Sequence, residues 1–195
     1  EVFSDGTRTL IQPSSLALAR VSVLRGEGPR EGEPFIDDHI WTTEPIVDYL
    51  TQFSGIQPDD LDPKRTQRTL VSHKTAYKKL RMLTDLGCRF IGHGLAKDFR
   101  IINIFVPPSQ VIDTVQLYHS PAHPRNLSLR FLSWFLLKKD IQQGLALGVE
   151  QHDGHDSIED ALAALQLFRK YEQFERDGRL EDMLEDLYEI GPRVN

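Results

Sequence analysis

Phe90-Ile91-Gly92-His93-Gly94-Leu95-Ala96-Lys97-Asp98-Phe99 joins an apolar run to a Gly-His-Gly turn and then to a helical pattern with an acid in its first turn. A short apolar run bounded by turn residues reads as a buried strand, here over 88–91. The helix that follows is expected over 96–104, with Pro107 and Pro108 stopping it, because proline has no N–H to donate. A strand that feeds a helix through a glycine turn is a unit of α/β architecture, and such sheets place ligands beyond the carboxyl ends of their strands. Asp98 stands at that end. Its position in the first turn is worth roughly a few tenths of a kcal/mol against the helix dipole. Leu95, Phe99, Ile101 and Ile102 hem it in, which points to a second role.

Outward from this junction the chain alternates strand and helix patterns. Residues 16–24 alternate around Val21 and Val23 and read as a strand, and 34–40 read as its hairpin partner across a Gly- and Pro-rich loop. Pro45 is expected to open a short helix over 46–53, followed by a turn-rich connector. Residues 69–86 carry apolar side chains at amphipathic-helix spacing, end at Gly87, and leave Lys74, Lys78, Lys79 and Arg81 on the outer face. Downstream, 111–114 reads as a strand, 128–138 as an apolar helix capped by Ser128, and 144–154 as a loop. Residues 157–176 and 180–190 read as closing helices. Strands first, then helices interspersed with short strands, predict an α/β fold: a mixed sheet flanked by helices.

Composition narrows the field. The chain has 195 residues, enough for one ordinary domain with a real core. No apolar run approaches the roughly 20 residues of a membrane-spanning helix. A lone Cys88 excludes an intramolecular disulfide or a multi-cysteine zinc module and favours a reducing compartment. The formal net charge of −6 is uneven: 1–140 hold 18 Lys/Arg against 16 Asp/Glu, whereas 141–195 hold 5 against 13. Much of that acid lies in the last helices, as a solvated face.

The second informative stretch is His155-Asp156-Ser157-Ile158-Glu159-Asp160-Ala161. Asp156 as N-cap with Glu159 three residues on is a variant of the capping box. That explains two acids and not Asp160. Ile158, Ala161, Leu162, Leu165 and Phe168 form an apolar stripe, and Ala163, Ala164, Leu167 and Tyr171 line the face nearest Asp160. A carboxylate in such surroundings costs free energy unless it is paired or bound to a cation. His155 overhangs the helix start with a side chain suited to taking a proton near neutral pH, and His152 is an equally available alternative. A serine-hydrolase reading of His155, Asp156 and Ser157 lacks any Gly-x-Ser-x-Gly context.

Taken in order, Gly92-His93-Gly94-Leu95 with Asp98-Phe99-Arg100, Val111-Ile112-Asp113-Thr114, Ser128-Leu129-Arg130-Phe131-Leu132 and His155 to Ala161 closely resemble the DEDD superfamily of 3′-5′ exonucleases. The histidine five residues before the last acid marks the subgroup that uses histidine as base, and the match is nearest to the catalytic domains of PAN poly(A)-specific ribonucleases (deadenylases). Residues 48–56 and 60–63 look like that family too, and the resemblance covers most of 14–172. It implies a ribonuclease-H-like mixed sheet flanked by helices. It also implies metal-dependent shortening of mRNA poly(A) tails with release of AMP. Asp98, Asp160 and His155 would be the catalytic residues, with Asp98 and Asp160 ligating two divalent ions, Mg²⁺ or Mn²⁺. His93, Leu95, Lys97 and Arg100 are candidate RNA contacts, Lys74, Lys78 and Lys79 are further basic candidates, and Asp113 is expected to be structural or to support the metal-binding acids from behind. Expected partners are poly(A) RNA, a pseudokinase PAN adaptor subunit and poly(A)-binding protein, in the cytoplasm and its P-bodies.

One departure stands out. The family's first motif, Asp-x-Glu on an opening strand, is absent, and Ser4-Asp5-Gly6 reads as a turn. In the implied fold that strand occupies the middle of the sheet, between the 16–40 hairpin and the strand at 88–91. The expectation is therefore a single exonuclease domain over 1–195 that continues upstream, is inactive as an isolated fragment, and carries an acidic helical extension over 174–195. The alternative is a catalytically silent relative acting as an RNA-binding or scaffolding module.

Overall fold

A computed structural model describes residues 2–4, 7–9, 16–142 and 155–191. Strands β1 (Val2–Ser4) and β2 (Thr7–Thr9) pair antiparallel with Ser4 opposite Thr7. Strand β3 (Arg20–Leu24) begins later than the alternation from residue 16 suggested, and Leu16 is 72% exposed. It pairs antiparallel with β4 (Pro34–Trp41), Arg20 opposite His39 and Val23 opposite Ile36. Alternation gives this ladder two different faces. Val21, Val23, Ile36 and Ile40 enter an apolar core, whereas Arg20, Ser22 and Asp37 form a polar face.

Two expected helices are cut back. Residues 70–72 of the expected 69–86 helix form β5 (Leu70–Ser72), parallel to β4 with His39 opposite Leu70. Helix α2 (His73–Asp85) starts only after Ser72, whose hydroxyl accepts the Thr75 N–H at 3.2 Å. Pairing with a buried neighbour outweighs helix periodicity here, as β propensity depends on packing context. Between 46 and 53 only α1 (Thr51–Ser54) is helical. The Asp48 carboxylate accepts the Leu50 N–H at 2.8 Å and Leu50 takes φ 50°, so a local side-chain turn replaces the first helical turns.

The quoted junction folds as β6 (Phe90–Gly92) and α3 (Leu95–Ile102), the helix ending at Asn103 with φ 59°, four residues before Pro107. Strand β7 (Val111–Asp113) runs parallel to β6, with Gly92 opposite Asp113, and leads directly into α4 (Thr114–Leu117). The apolar 128–138 segment starts as α5 (Leu129–Leu132), capped by Ser128, and widens into a π-helical turn over Ser133–Leu137. Helices α6 (Ser157–Arg176) and α7 (Leu180–Ile190) have the expected bounds.

Among the described residues β3-β4-β5 and β6-β7 are separate ladders, so β3 and β6 are each paired on one side. Helix α6 packs against both. One core gathers Val21, Ile40, Ala76, Leu80, Ile102 and Ile104 between the strands, α2 and α3. A second gathers Tyr118, Phe131, Leu132, Leu167 and Leu187 between α4 to α7. No described helix is long and apolar enough to cross a membrane.

Candidate active site

The head of α6 is built by Asp156, whose carboxylate accepts the Ile158 N–H at 3.1 Å. Glu159 does not close a capping box: its carboxylate takes the backbone N–H of Gln142 at 3.3 Å. The Asp160 N–H bonds the Asp156 carbonyl at 2.9 Å, which sets Asp160 in the first helical turn. One Asp160 oxygen accepts the Gln142 side-chain amide at 2.9 Å, and the other lies 3.3 Å from His155 Nδ1. His155 is anchored by its own N–H to the Phe53 carbonyl at 3.0 Å, which brings α1 alongside. His152 and the expected 144–154 loop lie outside the described residues.

The second half of the site is organised by Asp113 at the end of β7. Its carboxylate accepts the N–H groups of Gly94, Leu95 and Val115 at 2.8, 3.0 and 3.0 Å, so it caps α3 and α4 together. This explains why an acid follows Val111-Ile112 in sequence: it satisfies helix-start donors that have no partner of their own. The Thr114 hydroxyl donates to the Gly92 carbonyl at 3.0 Å, which uses its only proton. His93 Nδ1, at 2.9 Å from the same oxygen, is therefore the donor in that pair. Lost hydration lowers the His93 pKa, against the opposing pull of the Asp113 and Asp160 carboxylates. Asp98 is exposed on α3, yet the protein crowds its carboxyl enough that lost hydration, followed by the Asp113 charge, raises its pKa. The Asp113 charge thus acts on both Asp98 and His93, and the Asp160 charge acts on His93.

Leu95 folds back onto Gly92, where a Cβ would stand 2.7 Å from Leu95 Cγ. Gly92→Ala is accordingly expected to destabilise the domain by about 1–3 kcal/mol through this overlap. Leu95→Ala should recover part of the loss in urea unfolding, and an unchanged midpoint in Gly92→Ala would contradict the packing. The other sequence candidates scatter. Lys97 and Arg100 are exposed on α3, Lys74 and Lys78 are exposed on α2, and Lys79 is paired with the buried Asp38 at 2.6 Å.

Among the described residues neither Asp98 nor Asp160 lies within ion-pair distance of a lysine or arginine, and no three His, Cys, Asp or Glu side chains close around one point. Two carboxylates without a lysine or arginine partner among the described residues, one of them partly desolvated, suit a hard divalent cation. Arg20 and Ser22, both held by Asp37, and Gln142 reach the head of α6, and none of the four stands out in the sequence. The only clue to the first three was a polar side to strands whose other side was apolar.

A family model described as Exonuclease (RNase_T) matches residues 6–168. The PAN2-PAN3 deadenylation complex catalytic subunit PAN2 of Chaetomium globosum is 59% identical over 192 residues, which is 98% of this chain and 17% of that protein. The corresponding Schizosaccharomyces pombe subunit is 54% identical over 193 residues, 99% of this chain and 17% of its own length. This chain therefore spans about one sixth of these relatives. Among solved structures, the Neurospora crassa Pan2 catalytic unit (protease and nuclease domain) aligns at TM-score 0.82 and 58% identity, over 88% of this chain and 27% of the other. A Saccharomyces cerevisiae Pan2 pseudoubiquitin hydrolase-RNA exonuclease module in complex with A7 RNA aligns at TM-score 0.83 and 42% identity, over 96% of this chain and 30% of the other. The helix-flanked strands accordingly form a ribonuclease-H-like fold, and its exonuclease character implies dependence on divalent metal ions, which the two carboxylates suit. By the match over 6–168 and these identities, the chain belongs to the exonuclease family.

Proposed function

We propose that this chain is the catalytic domain of a poly(A)-specific 3′-5′ exoribonuclease that shortens mRNA tails and releases AMP. The observation that carries the reading is His155 turned onto Asp160 at 3.3 Å at the head of α6, on a chain whose helix α3 presents Asp98 in its first turn. Relatives that are catalytic subunits of a deadenylation complex support the substrate class.

Asp98 and Asp160 would hold the cations, two Mg²⁺ or Mn²⁺. When bound, two such ions supply the Lewis acidity that activates water and stabilises the leaving 3′-oxygen. With Nδ1 turned to Asp160, His155 keeps Nε2 as the nitrogen able to accept the proton of the attacking water. Asp113 holds the α3 start and so the position of Asp98. His93 just before that helix and Leu95 at its first position are RNA contacts on this reading, and Lys97 and Arg100 offer phosphate contacts from its exposed side.

The first acidic motif is assigned to a further strand between β3 and β6. Both are paired on one side only among the described residues, and α6 crosses both. The 174–195 segment is assigned as an acidic extension of this single domain, and its helix α7 docks through Met183, Leu187 and Tyr188. A pseudokinase adaptor, poly(A)-binding protein and a cytoplasmic setting complete the assignment.

The test is digestion of 3′-labelled oligo(A) by the full-length protein. Stepwise release of AMP is expected with Mg²⁺, loss of release on chelation, and recovery when Mg²⁺ is returned. Binding of oligo(A) without shortening under Mg²⁺ would instead identify a silent RNA-binding module.

A further inference from the structure

The polar face of β3 and β4 meets the head of α6 in a closed set of bonds. Arg20 grips Asp37 with two nitrogens, Nε at 2.7 Å from Oδ1 and Nη2 at 3.1 Å from Oδ2. Its remaining Nη1 donates to Asp156 Oδ1 at 2.9 Å. The Ser22 hydroxyl donates to Asp37 at 2.9 Å, so in the 2.6 Å pair between Ser22 and Ser157 the proton comes from Ser157. Two adjacent residues of the helix start are thus tied to β3 and, through Asp37, to β4.

The place of attachment matters. Asp156 directly follows His155, and its carbonyl accepts the Asp160 N–H. A tether on Asp156 therefore fixes the direction in which the chain leaves His155 and the rotation of the turn that carries Asp160. Helix initiation does not require it, since Asp156 already caps Ile158 with its own carboxylate. A partly buried ion pair is weak support for stability, but a bidentate guanidinium fixes geometry in a way a lysine cannot. The Arg20 side chain is 18% exposed and its three bonding nitrogens are all engaged, so it is poorly placed to meet RNA phosphates.

We propose that Arg20 is a positioning residue: through Asp37 and Asp156 it holds His155 and Asp160 in register for hydrolysis. The proposal rests on the functional reading above. Its test compares Arg20→Lys and Asp156→Asn in the full-length protein. Lysine keeps the charge and loses the fork, while asparagine keeps a helix cap and loses the charged partner. Each is expected to lower kcat on oligo(A) by about tenfold or more with KM within about twofold of wild type. The double variant should be no worse than either single one, because both cut the same tie. An unchanged kcat in both single variants overturns the proposal, as does a raised KM with a flattened salt dependence in Arg20→Lys, the signature of a phosphate contact. If the wild-type protein does not shorten oligo(A), the functional reading fails, and amide exchange at Ile158 and Asp160 then judges the tie alone. Faster exchange in Arg20→Lys supports it, and unchanged exchange overturns it.

Discussion

Asp160→Ala in the full-length protein is expected to abolish shortening of oligo(A), with kcat falling by at least about a thousandfold, the scale on which a missing metal-ligand carboxylate acts. Asp98→Ala should do the same, because on the proposed reading each acid is a cation ligand in its own right. The fold should survive both changes. Asp98 is exposed and the Asp160 side chain is 24% exposed, so the stability lost is limited to helix-start electrostatics of about 0.3–1 kcal/mol and, for Asp160, about 1 kcal/mol more from its contacts with Gln142 and His155. Release of AMP from 3′-labelled oligo(A), measured beside urea unfolding of the same preparations, separates the two effects. Either variant retaining activity within about tenfold of wild type would remove that acid from the metal site.

Leu167→Ala should act on the fold with comparable severity. Leu167 is fully buried in the core between α4 and α7, and its carbonyl accepts the buried Tyr118 hydroxyl at 2.8 Å. Removing its side chain leaves a cavity beside Leu132 and Leu187, at a cost of about 3–5 kcal/mol. The thermal midpoint should fall by on the order of 10 °C, whereas Leu86→Ala, at a position 70% exposed, should stay within about 0.5 kcal/mol of wild type. Differential scanning calorimetry decides, and equal midpoints for the two variants would refute the core assignment. The consequence reaches the site, because α6 carries both Leu167 and Asp160 on one rigid element.

Some of the site was written locally. Asp156 as N-cap, Asp160 one turn into α6, and His155 just before it depend on spacing along one helix, so sequence placed them within one neighbourhood. The glycine turn that sets Asp98 in the first turns of α3 was equally legible. Asp113 read as structural in a Val-Ile-Asp-Thr strand, and its capping of two helix starts gives that a mechanism. Other features needed neighbours distant in the chain. The strand at Leu70–Ser72 exists because β4 offers it a ladder, and the shortened α1 exists because Asp48 takes the Leu50 N–H. Arg20 and Asp37 look like ordinary solvent-side residues of a hairpin until α6 is placed over them.

The amino-acid sequence by itself determined the α/β class, the extents of α6 and α7, and the placing of His155 and Asp160 at one helix start, because periodicity, capping and short-range spacing are properties of a few consecutive residues. Only the tertiary structure decided how the strand ladders are arranged, which lysine is neutralised by Asp38, and how the head of α6 is fastened to β3 and β4. Those depend on hydrogen bonds and ion pairs between residues as many as 136 positions apart, as between Arg20 and Asp156, whose partners no local pattern can name.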